Sequence, residues 1–404
     1  NGAAQVPVSI YDQNNVELTK YTTNDDGKYE FALLNNAKDY MVKPNLDKDP
    51  AAGITTRDIL LIQKHILGIQ SFNQHHQFIA ADVNNSKSIT ARDLSDLRKL
   101  ILGVTSDFQE NNSWNFISSS TPFDINDPYK YSSEIMINNL NHDMMNNDFI
   151  AVKTGDVTGE AKTSGVQNSS TRSNEKVNLV IDELDFTADD IIEVPVYSEA
   201  QITEFNGLQM AFQYDDSKLE FIGITSAELA INATNYNVIF DQSANIRLSY
   251  SNELAQNIDN TNPLFILTFK TKSSGRMDLQ SLFMNSKSLQ GESYLGSKTL
   301  DVDLQFRTKG ISNNTDNSKY VLYQNIPNPF SGITNIQFNA PKNDDTVELS
   351  IYDLSGKVVY KKSLITKKGL NEIEVKLDAN IHGILYYKLD ANEFIATRKM
   401  VVIR

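Results

Sequence analysis

The sequence predicts a mainly β, multidomain chain in which β-sandwich modules are interrupted by one small helical module. Three observations carry this. Apolar residues alternate with period two through most of the chain, a stretch from about residue 45 to 105 switches to helical spacing, and polar turn-rich segments divide the modules. At 404 residues and 40% hydrophobic content, the chain exceeds what a single core fills.

Residues 1–44 open the series. Val8 and Ile10 face one way and Ser9 and Tyr11 the other, and Tyr29 and Phe31 alternate with Lys28 and Glu30. Asn24-Asp25-Asp26-Gly27 between them supplies turn chemistry, because Asp-Gly accepts the positive φ of a tight hairpin. Residues 45–105 contain a duplication at an offset of 35: DKDPAAGITTRDILLIQKHILG from Asp47 to Gly68 and DVNNSKSITARDLSDLRKLILG from Asp82 to Gly103. Each copy is a polar loop followed by an amphipathic helix. Ile59, Ile62 and Ile66 match Leu94, Leu97 and Ile101 as one apolar stripe, and Gly68 and Gly103 suit the left-handed helix stop. Two such short helices are expected to pack antiparallel. Residues 106–161 form a less regular extension holding the only Trp, Trp114.

Residues 177–306 return to strands. Leu208, Met210, Phe212 and Tyr214 share a face opposite Gln209, Ala211 and Gln213, while PLFILTFKT (Pro263 to Thr271) is apolar throughout and predicts a strand buried on both faces of a two-layer sandwich. Residues 159–176 and 307–319 lack apolar periodicity and read as linkers. Residues 320–404 predict a second, smaller sandwich from Ile336 and Phe338, then Val347, Leu349 and Ile351, then Ile373, Val375 and Leu377.

Charge separates the regions. The chain carries 51 acids against 37 bases, a net −14, but the segment from Tyr320 has 11 bases and 9 acids, leaving −16 for the rest. That balance disfavours nucleic acid and anionic membrane, which need clustered Lys and Arg. No apolar run reaches the roughly 20 residues that cross a bilayer, so no transmembrane segment is expected. With no Cys, disulfides, thiolate metal sites and cysteine nucleophiles are excluded. The chain starts at Asn1 without a signal-peptide pattern, so any export signal is expected upstream of this numbering or already removed.

The repeat loops carry the sharpest chemistry. Counting from Asp47, loop positions one, three, nine and twelve hold Asp47, Asp49, Thr55 and Asp58, with Gly53 at seven, where a backbone carbonyl serves. The second loop holds Asp82, Asn84, Ser86, Ser88, Thr90 and Asp93 at positions one, three, five, seven, nine and twelve. A twelve-residue loop with this spacing wraps hard oxygens around Ca2+. The first loop lacks a side-chain oxygen at position five, Ala51, and predicts the weaker site; position six is Ala52 or Lys87 rather than Gly. Thr55 with Asp58 and Thr90 with Asp93 are also capping boxes, which a metal-free helix start would choose, but capping leaves Asp47, Asp49, Asp82 and Asn84 unexplained.

Resemblances follow from these residues. VSIYDQNNVELTKYTTNDDGKYEFALL resembles a prealbumin-like sandwich lacking its first strand. The paired loops and helices over 45–105 resemble a dockerin module, which implies calcium. In such modules the residues at Arg57 and Arg92 present to a partner. DFIAVKTGDVTGEA, Asp148 to Ala161, is similar to a segment that trails these modules. VPVY, LQMAFQYDDSKLEFIGI and LFILTFKT resemble a cohesin-like domain, the fold that dockerins bind, which implies docking within or between chains. The acidity of that region and the two arginines suggest complementary charge.

YQNIPNPFSGITNIQF, LSIYDLSGKVV, GILYYKL and TRKMVVIR are similar, block by block, to the type A sorting domain of the type IX secretion system. Asn325, Pro327, Asn328, Pro329, Phe330, Tyr352, Asp353, Gly356, Gly383 and Lys399 carry that match. The resemblance implies a secreted cell-surface protein of Bacteroidetes, adhesin-like or a scaffold component, whose tail engages the type IX translocon and an outer-membrane barrel carrier; a sortase normally removes such a tail, and with the tail intact the chain is expected to be uncleaved cargo bound to that machinery. The alternative is the accessory end of a secreted enzyme. No catalytic residue is expected: His65, His75, His76, His142 and His382 form no HExxH helix, and no G-x-S-x-G elbow occurs. His65 is expected at the helix boundary, and His75-His76 in a solvated connector.

Overall fold

The computed structural model describes residues 2–164, 175–240, 243–308, 320–323, 325, 330–353, 355–378, 380–391 and 394–403. Most of both expected linkers therefore lies outside the described residues.

The N-terminal half comprises β1 (Pro7–Asp12), β2 (Glu17–Thr22), β3 (Tyr40–Pro44), α1 (Thr56–Ile66), α2 (His75–Ala81), α3 (Ala91–Ile101), β4 (Trp114–Ser118), β5 (Ile135–Ile137) and β6 (Phe149–Lys153). The first sheet runs β2-β1-β3-β5, so the extension supplies an edge strand to the first module. Val8, Ile10, Tyr40 and Val42 pack with Trp114 and Phe116, and a sandwich that looks truncated in sequence closes on residues far downstream. Tyr29 and Phe31 do not form the expected strand. Their rings pack edge to face, 5.9 Å apart, and the Tyr29 hydroxyl donates to the Asn147 carbonyl, so side chains rather than a ladder hold that segment.

Helices α1 and α3 start and stop as read. Thr55 and Thr90 cap them with Asp58 and Asp93, and Gly68 and Gly103 follow at φ +70° and +71°. Ile59, Ile62, Leu97 and Ile101 are buried, whereas Ile66 is exposed at the last turn. The expected solvated connector is instead partly helical. The apolar Phe78-Ile79-Ala80-Ala81 needs burial, so α2 turns that run into the helical core, and His75 begins it, stacked 5.0 Å from Phe123. His65 sits at the boundary as expected, its Nδ1 accepting from the Phe72 N–H.

The middle sandwich contains β7 (Lys176–Asp182), β8 (Leu184–Phe186), β9 (Ile191–Ser198), β10 (Ile202–Tyr214), β11 (Leu219–Ser226), β12 (Tyr236–Phe240), β13 (Ala244–Ile258), β14 (Phe265–Thr271), β15 (Gly275–Met277), β16 (Leu282–Met284), β17 (Glu292–Leu295) and β18 (Lys298–Arg307). One sheet runs β11-β14-β9-β7-β18-β17-β10-β13-β12, closed in its middle by the parallel pair β18 and β7. It rolls onto itself. Phe212 and Tyr214 of β10 meet Phe265 and Phe269 of β14 at 6.3 and 5.5 Å, although four strands separate them along the sheet.

The strand covered on both faces is not β14, which alternates with Phe265, Leu267 and Phe269 inward and Lys270 outward. It is β10, where Gln209 and Ala211 are as buried as Met210 and Phe212. The outer face of β10 is covered by α1, which sequence periodicity has no means of announcing.

The tail contains β19 (Val321–Leu322), β20 (Ile333–Ala340), β21 (Thr346–Tyr352), β22 (Val358–Ile365), β23 (Gly369–Lys376), β24 (Gly383–Ala391) and β25 (Phe394–Val402). Sheets β19-β20-β23 and β22-β21-β24-β25 enclose Phe338, Leu349, Ile351, Val375, Leu389 and Met400. This is the small sandwich the alternation predicts.

Candidate functional site

The second loop gathers its predicted ligands. Asp82 closes α2 and is buried; its Oδ1 accepts from the Ser86 N–H at 2.7 Å and its Oδ2 from the Lys87 N–H at 2.8 Å. Asp93, fully buried, accepts from the Asn84 N–H at 3.2 Å and from the Thr90 N–H at 2.9 Å. The Ser86 and Ser88 hydroxyls lie 3.0 Å apart. Asn85 and Lys87 adopt φ +55° and +64°, so the turn forms without Gly at position six. Burial pushes the Asp82 carboxyl upward against the amides that hold it down. The donor set is all oxygen and fits a hard divalent cation.

The first loop divides. The Asp47 carboxylate accepts from the Ser113 N–H at 2.8 Å, and the Asp49 carbonyl accepts from Lys153 Nζ at 2.8 Å. Lys153 is only 3% exposed. Burial pulls its pKa down to about 8 against the opposing charges of Asp49, Asp47 and Asp156, and its ammonium lies 5.5 Å from the Trp114 ring. Thr55 and Asp58 stay together in the capping box, but Asp58 Oδ1 turns elsewhere, accepting from the Val157 and Thr158 N–H groups at 3.0 and 3.3 Å. Among the described residues no hydrogen bond joins Asp47 or Asp49 to Asp58, and no group of three or more His, Asp or Glu side chains is gathered at metal-holding distance.

The helical module sits on the sandwich. The Thr56 N–H donates to Gln209 Oε1 at 2.6 Å, the Thr56 and Ser249 hydroxyls meet at 2.7 Å, and Gln63 Nε2 donates to Glu253 Oε2 at 2.6 Å. From the other helix, Arg98 Nη2 donates to Ser251 Oγ at 3.0 Å, while Arg247 Nη1 on β13 donates back to the Ile101 carbonyl at 3.2 Å. Arg57 reaches the hairpin after β17, donating to the Ser297 carbonyl at 3.0 Å and to the Thr299 hydroxyl. Arg92 does not join this surface; it is exposed and pairs with Asp96 and Glu110. Charge complementarity is therefore not what seats the module: hydroxyls, amides and carbonyls do most of it. Sequence reading found Arg57 but missed Thr56, Gln63 and Arg98. The available signal was Gln209 and Ser249, small or amide residues on strand faces that would otherwise be solvated.

In the tail, Asn325 is buried, its N–H donating to the Tyr387 hydroxyl and its Nδ2 to the Thr334 hydroxyl. Phe330 is buried and bridges to Val402. Asp353 Oδ1 accepts from the Ser355 and Lys357 N–H groups, with Gly356 at φ +82° completing the turn. Tyr352 ends β21, Gly383 opens β24 at φ +97°, and Lys399 is exposed on β25 opposite Tyr386. Pro327, Asn328 and Pro329 lie outside the described residues.

The chain matches three family models. Residues 52–102 match the dockerin type I domain, residues 177–295 the cohesin domain, and residues 325–403 the secretion system C-terminal sorting domain. No curated protein matches the chain. Among solved structures, the sixth cohesin of Acetivibrio cellulolyticus scaffoldin B in complex with Cel5 dockerin is similar at 14% identity and TM-score 0.24, covering 33% of this chain and all of that one. A cohesin, CaCohA2, of Clostridium acetobutylicum is 16% identical at TM-score 0.24, covering 33% and 92%. A non-cellulosomal cohesin of Archaeoglobus fulgidus is 14% identical at TM-score 0.21, covering 33% and 91%. Along its sequence the chain thus carries, in order, a dockerin type I domain, a cohesin domain and a secretion system C-terminal sorting domain.

Proposed function

We propose that this chain is a non-enzymatic surface protein exported by the type IX secretion system, with residues 320–404 as its address and the preceding modules as its binding and spacing units. The observation that carries the reading is the sorting-domain match at residues 325–403, over a segment that closes its own core. In transit the tail engages the translocon and an outer-membrane barrel carrier. Both its sheets end in edge strands, β19 and β23 in one and β22 and β25 in the other, where a carrier strand can add.

The dockerin and cohesin domains act as a closed pair within one chain in this reading, with Ca2+ bound by the second loop through Asp82, Asn84, Ser86, Ser88 and Asp93. Such a pair has surface-scaffold or adhesion value because opening it exposes two complementary faces, and chains that open together can cross-link. The test is deletion of residues 320–404 in the producing bacterium, with the extracellular yield measured by immunoblot. Export is expected to stop and the shortened chain to accumulate inside the cell envelope. Undiminished extracellular yield would refute the export role.

A further inference from the structure

Asp58 and Asp156 are buried carboxylates at 0% and 2% exposure, and neither joins a salt bridge among the described residues. Two neighbouring carboxyls held out of water either keep a proton or take a cation, and the Lys153 ammonium acts on Asp156 without forming an ion pair with it among the described residues. We propose that a second calcium-type loop is assembled from two distant chain segments, residues 156–161 supplying positions one to six and residues 53–58 supplying positions seven to twelve. The idea is independent of the export reading.

The intact loop is the template. Asp156-Val157-Thr158-Gly159-Glu160-Ala161 reads against Asp82-Val83-Asn84-Asn85-Ser86-Lys87, with an oxygen-bearing side chain at positions one, three and five in both. The backbone agrees. The position-six N–H donates to the second oxygen of the position-one carboxylate in each, from Ala161 to Asp156 at 2.7 Å and from Lys87 to Asp82 at 2.8 Å. The position-three N–H donates to Oδ1 of the position-twelve carboxylate in each, from Thr158 to Asp58 at 3.3 Å and from Asn84 to Asp93 at 3.2 Å. Position four is left-handed in both, Gly159 at φ +74° and Asn85 at φ +55°. The position-two valines, Val157 and Val83, are buried in the same core.

The junction is where a continuous loop would put it. Position six of one segment must abut position seven of the other, and a Cβ added to Gly53 would lie 2.5 Å from the Cβ of Ala161. Gly53, at φ +78°, is therefore the residue that lets the two ends meet. Asp156, Thr158, Glu160 and Asp58, with the Gly53 carbonyl, would supply oxygen donors of the kind calcium takes once the exposed Glu160 swings in. The Asp47 carboxylate is already engaged by the Ser113 N–H, and the Asp49 backbone carbonyl by the Lys153 ammonium.

Native mass spectrometry of the full chain titrated with calcium chloride separates this from the contiguous reading. The native chain is expected to bind two ions, the Asp82→Ala chain one, and the Asp82→Ala chain carrying Asp156→Asn none, while Asp47→Ala retains two. Glu160→Gln, on an exposed position, keeps the fold and is expected to weaken the ion that survives Asp82→Ala by about tenfold. Retention of that ion in the Asp156→Asn chain, or its loss in Asp47→Ala, would overturn the proposal, as would a native chain that binds a single ion abolished by Asp82→Ala.

Discussion

The hydroxyl of Thr56, in the first turn of α1, lies 2.7 Å from that of Ser249 on β13, and both residues are fully shielded from water. A contact across two modules that is this dry has a clear vulnerability. Thr56→Glu buries a carboxylate among hydroxyls and is expected to separate the modules, since an unpaired buried charge costs several kcal/mol. Hydrogen exchange checks it: amides of β10 and β13 should lose protection while those of the tail sandwich do not. Thr56→Val, which only deletes the bond, should weaken the pairing by about 1 kcal/mol.

The two repeat arginines should behave differently. Arg57 donates to a carbonyl and a hydroxyl of the sandwich, so Arg57→Ala is expected to loosen docking by about 1–2 kcal/mol. Arg92 joins exposed ion pairs on its own module, and Arg92→Ala should leave docking unchanged. Small-angle scattering of the two variants in mild denaturant reads the difference.

Acid and alkali should act oppositely to the usual carboxylate pattern at Glu193, on β9. Burial raises its pKa from the ordinary 4.5 to about 7. The folded chain holds this proton where the unfolded chain releases it, so the stabilising contribution is full below about 4.5 and is lost as pH rises through about 7. Glu193→Gln should therefore gain stability relative to the native chain at pH 8 and lose that advantage at pH 5. Chemical denaturation at the two pH values measures it.

In the tail, the Tyr387 hydroxyl donates to the Tyr323 carbonyl and accepts from the Asn325 N–H, both at 2.8 Å. Tyr387→Phe removes both of these buried bonds, a loss of about 1–3 kcal/mol. Thermal unfolding of the tail segment should shift down accordingly.

What the sequence disclosed and what it hid follow one rule: local order was legible, and pairing between distant segments was not. The stripe of Ile59 and Ile62, the boxes Thr55-Asp58 and Thr90-Asp93, and the alternation at Leu349 and Ile351 are set by neighbours three or fewer places away, so periodicity exposes them. Burial of Gln209 depends on Thr56, and Asp58 finds its amides at Val157 and Thr158. Neither dependence leaves a trace in a window of any length short of the whole module. Reading Asp47 as the start of the first loop did not foresee Lys153 for the same reason: its ammonium reaches the Asp49 carbonyl from 104 residues further on.

The parallel pairing of β7 with β18 sets Lys176 beside Asp301 and Asp182 beside Arg307, so the polypeptide enters the sandwich at one end of this pair and departs at the other. A pull between the helical module and the tail would thus run lengthwise along two neighbouring strands, loading all their rungs at once instead of peeling them singly. While the tail is still attached, tension reaching the central module would therefore meet this parallel pair in shear.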